Sequence, residues 1–406
     1  MEGKMSPNPL TVIVKIKPGE EAELKSILEA IDSDPENNPY VRFPESRNTH
    51  LARFAILNDP DNGPRLLFSS NYDGDLDSYL NEIIQISPGM DSLWEKCQGY
   101  TGKPQFSEFI NEHSYQPEAF YIAFRNETVE SLKNYIAIRK HIENFLDLKD
   151  VANYLDCSGV KPFLDKVAQV SQTNTWWEVV GLNGLKILRG LVALVQGILN
   201  LIREILLVII NFLASILGKP ENRSEIGQYT SVKADLAQSQ LLANAEDRFV
   251  QNSMNHLVDI KPERIKRLKI VLFLVNWAGQ YLFPPASLAN ITTIHFARWL
   301  IIDEGKRLLF LSNYDGSWDN YLNDFVDRAS DGLNSIWNNT MTYPEGGAQD
   351  IGAFKQYFRD YQTPSLFYYS AYPEQTVQTS LRDQQISKMI GTNFDRAAIE
   401  EWLKLL

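Results

Sequence analysis

Arg65 to Gly74 reads RLLFSSNYDG, and Arg307 to Gly316 reads RLLFLSNYDG. The two strings differ at one position. A match of this length within one chain marks an internal duplication. The likeness extends outward from both copies. Upstream, NTHLARFAIL (48–57) answers TIHFARWLII (293–302). Downstream, Asp77-Ser78-Tyr79-Leu80-Asn81 answers Asp319-Asn320-Tyr321-Leu322-Asn323. Trp94 and Tyr100 answer Trp337 and Tyr343, and PEAFYIAF (117–124) answers PSLFYYSAY (364–372). Order and spacing hold throughout, with a three-residue difference absorbed in the second hairpin loop.

Each copy alternates short β-branched runs with helical spacing. Thr11 to Ile16 reads as a strand. Glu20 to Ile31 places Leu24, Ile27, Leu28 and Ile31 on one helical face. Thr49 to Leu57 and Arg65 to Ser70 read as strands joined by turn residues. Asn71-Tyr72-Asp73-Gly74 then turns the chain into a helix with Asp75 as its N-cap. Phe120 to Phe124 closes a βαββαβ order, that of a ferredoxin-like unit. The expected fold class is α+β: two ferredoxin-like repeats packed sheet on sheet as an α+β barrel. The expected divisions are repeat 1 over 1–146, a helical insertion over 147–246, repeat 2 over 247–390 and a C-terminal helix over 391–406.

The insertion holds the greasiest stretch, LNGLKILRGLVALVQGILNLIREILLVIINFLASIL (182–217). Its polar residues recur at gaps of mostly three, four or seven, so it reads as one amphipathic helix with a wide apolar face. At 1.5 Å per residue it would reach roughly 54 Å. Arg203 and Glu204 interrupt it, which disfavours a single span and favours lying in the membrane interface. Trp176 and Trp177 precede it and are residues of the headgroup level. Leu206, Ile209 and Phe212 are the expected membrane-binding positions. The alternatives are packing on the protein's own core or on a second copy, giving a homo-oligomer. Lys261, Arg264, Lys266, Arg267 and Lys269 form a basic cluster that would face anionic headgroups or simply line a solvated helix. The helix after it, 269–283, is far greasier than its partner 20–31 and is the expected neighbour of the inserted helix.

The chain has 406 residues, ample for two cores, and a formal net charge of −12, which argues against nucleic acid as a partner. Two cysteines give no disulfide framework, and no zinc spacing occurs. The N-terminus lacks an apolar h-region, so the expected location is cytoplasmic and peripherally membrane-associated.

Candidate chemistry sits in the repeated His-x-Ala-Arg, which gives His50 and Arg53 in one copy and His295 and Arg298 in the other. Alternation along a strand puts the histidine and the arginine on opposite faces unless a bulge intervenes. A histidine there could act as base or haem ligand; a structural histidine kept in both copies is the plainer reading. His256 replaces Val12 of the first copy and is a candidate for a one-sided site. Asn71, Asp73, Asn313 and Asp315 could line a barrel mouth, or serve only the turns.

These residues resemble the dimeric α+β barrel superfamily, which includes dye-decolourising peroxidases, chlorite dismutases and small monooxygenases. A nearer likeness is to a group of bacterial proteins with THFAR and LLFxSNYDG motifs. The resemblance covers both repeats and not the insertion. The peroxidase branch would imply haem, a proximal histidine and a distal Asp/Arg pair after GxxDG; here the NYDG turns lack the earlier glycine. The resemblance implies a peroxidase-like oxidoreductase acting on an apolar or lipid substrate, with His295 or His256 as ligand or base and Arg298 stabilising negative charge. A non-catalytic lipid-binding or membrane-docking scaffold is the other expectation.

Overall fold

The computed structural model describes residues 7–58, 61–146, 186–218 and 250–389, with positions 242, 402, 404 and 405. Trp176, Trp177, residues 182–185 and most of the insertion and C-terminal segment lie outside these. The fold is mixed α+β with two antiparallel sheets, of four and five strands, and ten α-helices among the described residues.

Repeat 1 supplies β1 (Asn8–Lys15), α1 (Glu21–Ser33), β2 (Thr49–Leu57), β3 (Arg65–Tyr72), α2 (Leu76–Ile86), α3 (Met90–Trp94), α4 (Phe106–Glu112), β4 (Ala119–Ile122) and α5 (Val129–Leu146). The inserted helix α6 runs over Lys186–Leu217. Repeat 2 supplies β5 (Gln251–Asp259), α7 (Ile265–Tyr281), β6 (Ile294–Ile302), β7 (Arg307–Asp315), α8 (Trp318–Trp337), α9 (Ile351–Asp360), β8 (Gln362–Thr363), β9 (Phe367–Ser370) and α10 (Val377–Met389). Asp75 caps α2 as its spacing suggests, accepting from the Ser78 backbone N–H at 2.9 Å.

Each repeat gives away its last strand. The four-stranded sheet has the order β1-β3-β2-β9 and the five-stranded sheet β4-β6-β7-β5-β8. Thus β9 of repeat 2 pairs with β2 of repeat 1, Ala52 opposite Tyr369, while β4 of repeat 1 pairs with β6 of repeat 2, Tyr121 opposite Ala297. The crossing is abrupt. Tyr115 N–H still bonds Thr11 in the first sheet, and Glu118 N–H already bonds Trp299 in the second. Repeat 2 crosses the other way between Gln362, paired with His256, and Leu366, whose N–H bonds Phe54. Pro117 and Pro364 sit in these crossings. Proline has no N–H to give a ladder, so it suits the point where the chain leaves one sheet.

Alternation sorts each strand between two cores. One set of side chains (Val12, Val14, Phe54, Ile56, Leu66, Phe68) packs with Leu24, Leu28 and Trp94. The intervening set (Ile13, Ala55, Leu57, Leu67) meets Leu257, Leu300, Ile302, Leu309 and Leu311 of the other sheet. The two sheets therefore pack face to face through a thin aliphatic layer.

By contacts the chain forms two compact units, one of residues 1–129 and 207–377, the other of 130–206 and 378–406. Both sheets belong to the first. In the second, Arg139 bonds Glu143 at 2.7 Å and lies 2.7 Å from the buried Asp383 carboxylate as an ion pair, and the Trp402 indole N–H donates to the Ile386 carbonyl.

The exchange has a direct test. A protease site placed between residues 219 and 249 and then cut should leave both fragments co-eluting on size exclusion in buffer and parting only in denaturant. Fragments that separate in buffer would refute the strand exchange.

Candidate functional site

His50, Arg53, His295 and Arg298 converge between the sheets. A β-bulge interrupts β2 between Thr49 and Leu51, and a second interrupts β6 between Ile294 and Phe296. The extra residues are His50 and His295. Each bulge turns its imidazole to the face that carries the arginine, so histidine and arginine do share the inter-sheet space. His50 meets Phe296 of the other repeat at 5.7 Å between ring centres.

The four motif positions each have a bonded partner. His50 Nε2 lies 2.9 Å from Asp73 Oδ1, and Asp73 Oδ2 accepts the Val129 backbone N–H at 2.7 Å. In the second copy His295 Nε2 lies 2.6 Å from Asp315 Oδ1, and Asp315 Oδ2 accepts the Val377 N–H at 2.7 Å. Each aspartate thus ties a bulged histidine to the start of the helix beyond the exchanged strand. Tyr72 stacks on Tyr79 at 4.3 Å, and Tyr314 on Tyr321 at 3.9 Å. Ser70 and Ser312 bond the hydroxyls of those helix tyrosines at 2.7 and 2.6 Å. Gly74 and Gly316, at φ 85° and 76°, adopt the left-handed backbone that favours glycine.

The arginines cross over. Arg53 donates to the Met254 carbonyl (3.0 Å), Asn255 Oδ1 (3.0 Å), the Ser312 carbonyl (3.1 Å) and Asn313 Oδ1 (2.5 Å), all in repeat 2. Arg298 answers with the Leu10 carbonyl (2.8 Å), Thr11 Oγ1 (3.0 Å), the Ser70 carbonyl (3.1 Å) and Asn71 Oδ1 in repeat 1. Both side chains are buried, and none of these acceptors is a carboxylate. Burial pulls the Arg53 guanidinium down to about 10. It pulls Arg298 well below its usual value, with the Arg53 charge adding to the effect. Asn71 and Asn313 are therefore acceptors for the opposite repeat's arginine.

The copies differ at one contact that sequence reading passed over. Tyr372 follows β9, and its hydroxyl lies 3.0 Å from His50 Nδ1. Burial holds that phenol far above its usual range, so the hydroxyl donates and His50 Nδ1 accepts. The first copy has Phe124 at this place, and buried His295 Nδ1 has no hydrogen-bond partner. The signal was the Phe-for-Tyr difference between the aligned copies. Arg65 and Arg307, first residues of the duplicated motif, were also missed. Arg65 bonds Asp303 at 2.7 and 3.1 Å, while Arg307 lies 3.2 Å from Asp259 and 3.5 Å from Asp61. They border a polar cleft of about 640 Å³ with Lys15, His113 and Lys306.

His256 sits elsewhere. It faces the helix layer, enclosed by Trp337, Tyr357, Phe358 and Tyr361, with its ring stacked 4.4 Å from Phe358. Neither ring nitrogen makes a well-formed hydrogen bond, the Tyr357 backbone offering only a weak polar contact. Burial pushes its imidazole down to about 3, so the ring is neutral and behaves as a packed aromatic.

His50 does not fit haem ligation. His50 has both ring nitrogens engaged, and His295 has Nε2 on Asp315. Three cavities among the described residues, of about 410, 640 and 10 Å³, are lined by other residues than His50, His295, Arg53 and Arg298. No group of three or more metal-binding side chains occurs among the described residues. Comparison with protein-family models, curated proteins and solved structures returned no match.

Two outcomes follow. Arg53→Met leaves four buried acceptors without their donor and should cost about 3–5 kcal/mol in urea unfolding; a loss under about 1 kcal/mol would contradict the crossing bonds. His256 is neutral when folded but takes a proton near pH 6.5 when unfolded. Stability should therefore fall as pH drops from about 6.5 towards about 3, by up to about 1.4 kcal/mol per unit. Between pH 7 and 5 the wild type should lose about 2 kcal/mol more than His256→Val, measured by urea midpoints. Equal losses would place the histidine in a polar setting.

Proposed function

We propose that this chain is a non-catalytic lipid-binding module that docks on a membrane surface through α6. The observation that carries the reading is the outer face of that helix. Leu201, Ile202, Ile205, Val208, Ile209, Phe212 and Ile216 are all exposed, Val208 at 68% and Phe212 at 63%. Leu206 is half-buried. A row of large apolar side chains in water is unfavourable unless something covers it, at about 25 cal/mol per Å².

The window Asn200–Leu217 is long and apolar enough to cross a membrane by composition. Arg203 and Glu204 lie near its start, leaving 13 charge-free residues from Ile205 to Leu217. These span roughly 20 Å, short of a hydrocarbon core of about 30 Å. Lying in the interface suits them better. On α7, Ile270 and Phe273 are exposed too, with exposed Lys266 and Lys269 nearby in sequence. The rest of the basic cluster serves the fold. Lys261 is buried and donates to the Asn338 carbonyl at 2.6 Å, and Arg267 donates to the Leu217 carbonyl.

The supporting scaffold, in this reading, is a pair of ferredoxin-like repeats closed as an α+β barrel of the dimeric α+β barrel type. Its repeated motifs are spent on holding the repeats together, which favours a scaffold over a peroxidase-like oxidoreductase.

The test is vesicle flotation with Val208→Asp, Ile209→Asp and Phe212→Asp combined. The wild type should float with phosphatidylcholine vesicles and the variant should stay in the dense fractions. A variant that still floats, or a wild type that is a soluble dimer turned monomer by the same changes without any flotation, overturns membrane docking.

A further inference from the structure

Behind the docking face lies a cavity of about 410 Å³. Leu213, Ala214 and Leu217 of α6 and Val271, Leu274 and Val275 of α7 form one wall. Trp299 of β6 with Phe325, Leu333 and Ile336 of α8 form the other. The size falls within the roughly 300–1,000 Å³ of small-molecule sites, and the lining is as apolar as such sites are.

The duplication shows that this space is particular to repeat 2. Trp299, Phe325 and Leu333 correspond to Phe54, Ile83 and Met90 of repeat 1, which line a void of only about 10 Å³. There the connection between α1 and β2 inserts Phe43, stacked 5.7 Å from Phe367 and 6.1 Å from Phe68. The corresponding connection in repeat 2 folds on itself through reciprocal Leu288–Ile291 backbone bonds of 2.9 Å. It lines the space without filling it. One copy is plugged by its own aromatic ring, and the other is left with room for an apolar group from outside.

We infer that this cavity holds one acyl chain of a zwitterionic membrane lipid. The inference rests on the docking reading for its source of ligand. The helices α6 and α7 show apolar side chains on both sides, cavity and exterior, so they part the docking surface from the cavity. The rim selects the headgroup. It carries exposed Asp327 and Asp331, whereas Arg328 already bonds Asp324 at 3.2 Å and the Asn290 carbonyl at 3.0 Å. An acidic rim repels a carboxylate or a bare phosphate and accepts a choline or ethanolamine ammonium. At Ala329 (φ −139°, ψ 21°) the backbone of α8 leaves the helical conformation within this rim.

The full-length protein is titrated calorimetrically with 12-carbon lysophosphatidylcholine below its micellar concentration, with dodecanoate as the anionic comparison. One equivalent of lysophosphatidylcholine should bind, at least tenfold more tightly than dodecanoate. Ala214→Phe, or Val275→Phe from the opposite helix should the first fail to fold, should weaken binding at least tenfold without lowering the thermal midpoint. Both filled variants should still float with vesicles, since the outer face is untouched. The triple aspartate variant should bind lysophosphatidylcholine as the wild type does while failing to float. A wild type that floats but shows no saturable binding, or filled variants that bind unchanged, overturns the cavity assignment alone. Saturable binding by a wild type that does not float overturns the docking reading alone.

Discussion

Two guanidinium groups lie between the sheets with no carboxylate to neutralise them. Taking a charge out of water is among the costliest steps in folding, and it is tolerable only when the group's donors find acceptors. Arg53 and Arg298 find theirs in the opposite repeat: two backbone carbonyls and two side-chain oxygens each. The sheets must meet in the one register that brings Asn313 to Arg53 and Asn71 to Arg298. The strand exchange, the aliphatic layer and the bulged histidines all conform to that register. Arg65 and Arg307 repeat the principle at the other end of the motif, reaching acids in the opposite hairpins.

Much of this was legible beforehand. The duplication, the strand and helix order and the turn role of Asn-Tyr-Asp-Gly follow from period and turn chemistry. The shared face of histidine and arginine did not, because a bulge inserts one residue without altering composition. Period-2 reading assigns His50 and Arg53 to opposite faces, and the single unpaired residue reverses that. The exchange of β4 and β9 was equally hidden. AFYI and FYYS fit the edge of either sheet, and only the two prolines mark where the chain changes partners. His256 read as a one-sided site because it replaces a valine, but its surroundings are four aromatic rings distant in sequence. The basic cluster looked like one charged face until the fold drew Lys261 and Arg267 inward.

The copies differ at a few positions that change local bonding, packing and surface. Tyr372 against Phe124 changes one hydrogen bond. Phe43 against an open cavity changes what the helix layer can hold. The polar α1 against α7, with Ile270 and Phe273 exposed, changes what the surface can meet. The first repeat is self-filled, and the second, together with the inserted α6, borders both the cavity and the apolar exterior. Such differences leave the arginine cross-bonds between the repeats in place.

The exchanged strand also sets an order on synthesis. The edge of β2 in repeat 1 is completed by Phe367–Ser370, which leaves the ribosome about 310 residues after Leu57. At roughly 5–20 residues per second this edge stays unpaired for about 15–60 s. Its Thr-His-Leu-Ala-Arg-Phe-Ala-Ile-Leu backbone is a template for any other strand during that interval. The nascent chain must therefore carry an open sheet edge while these roughly 310 residues are made, exposed to mispairing until β9 arrives.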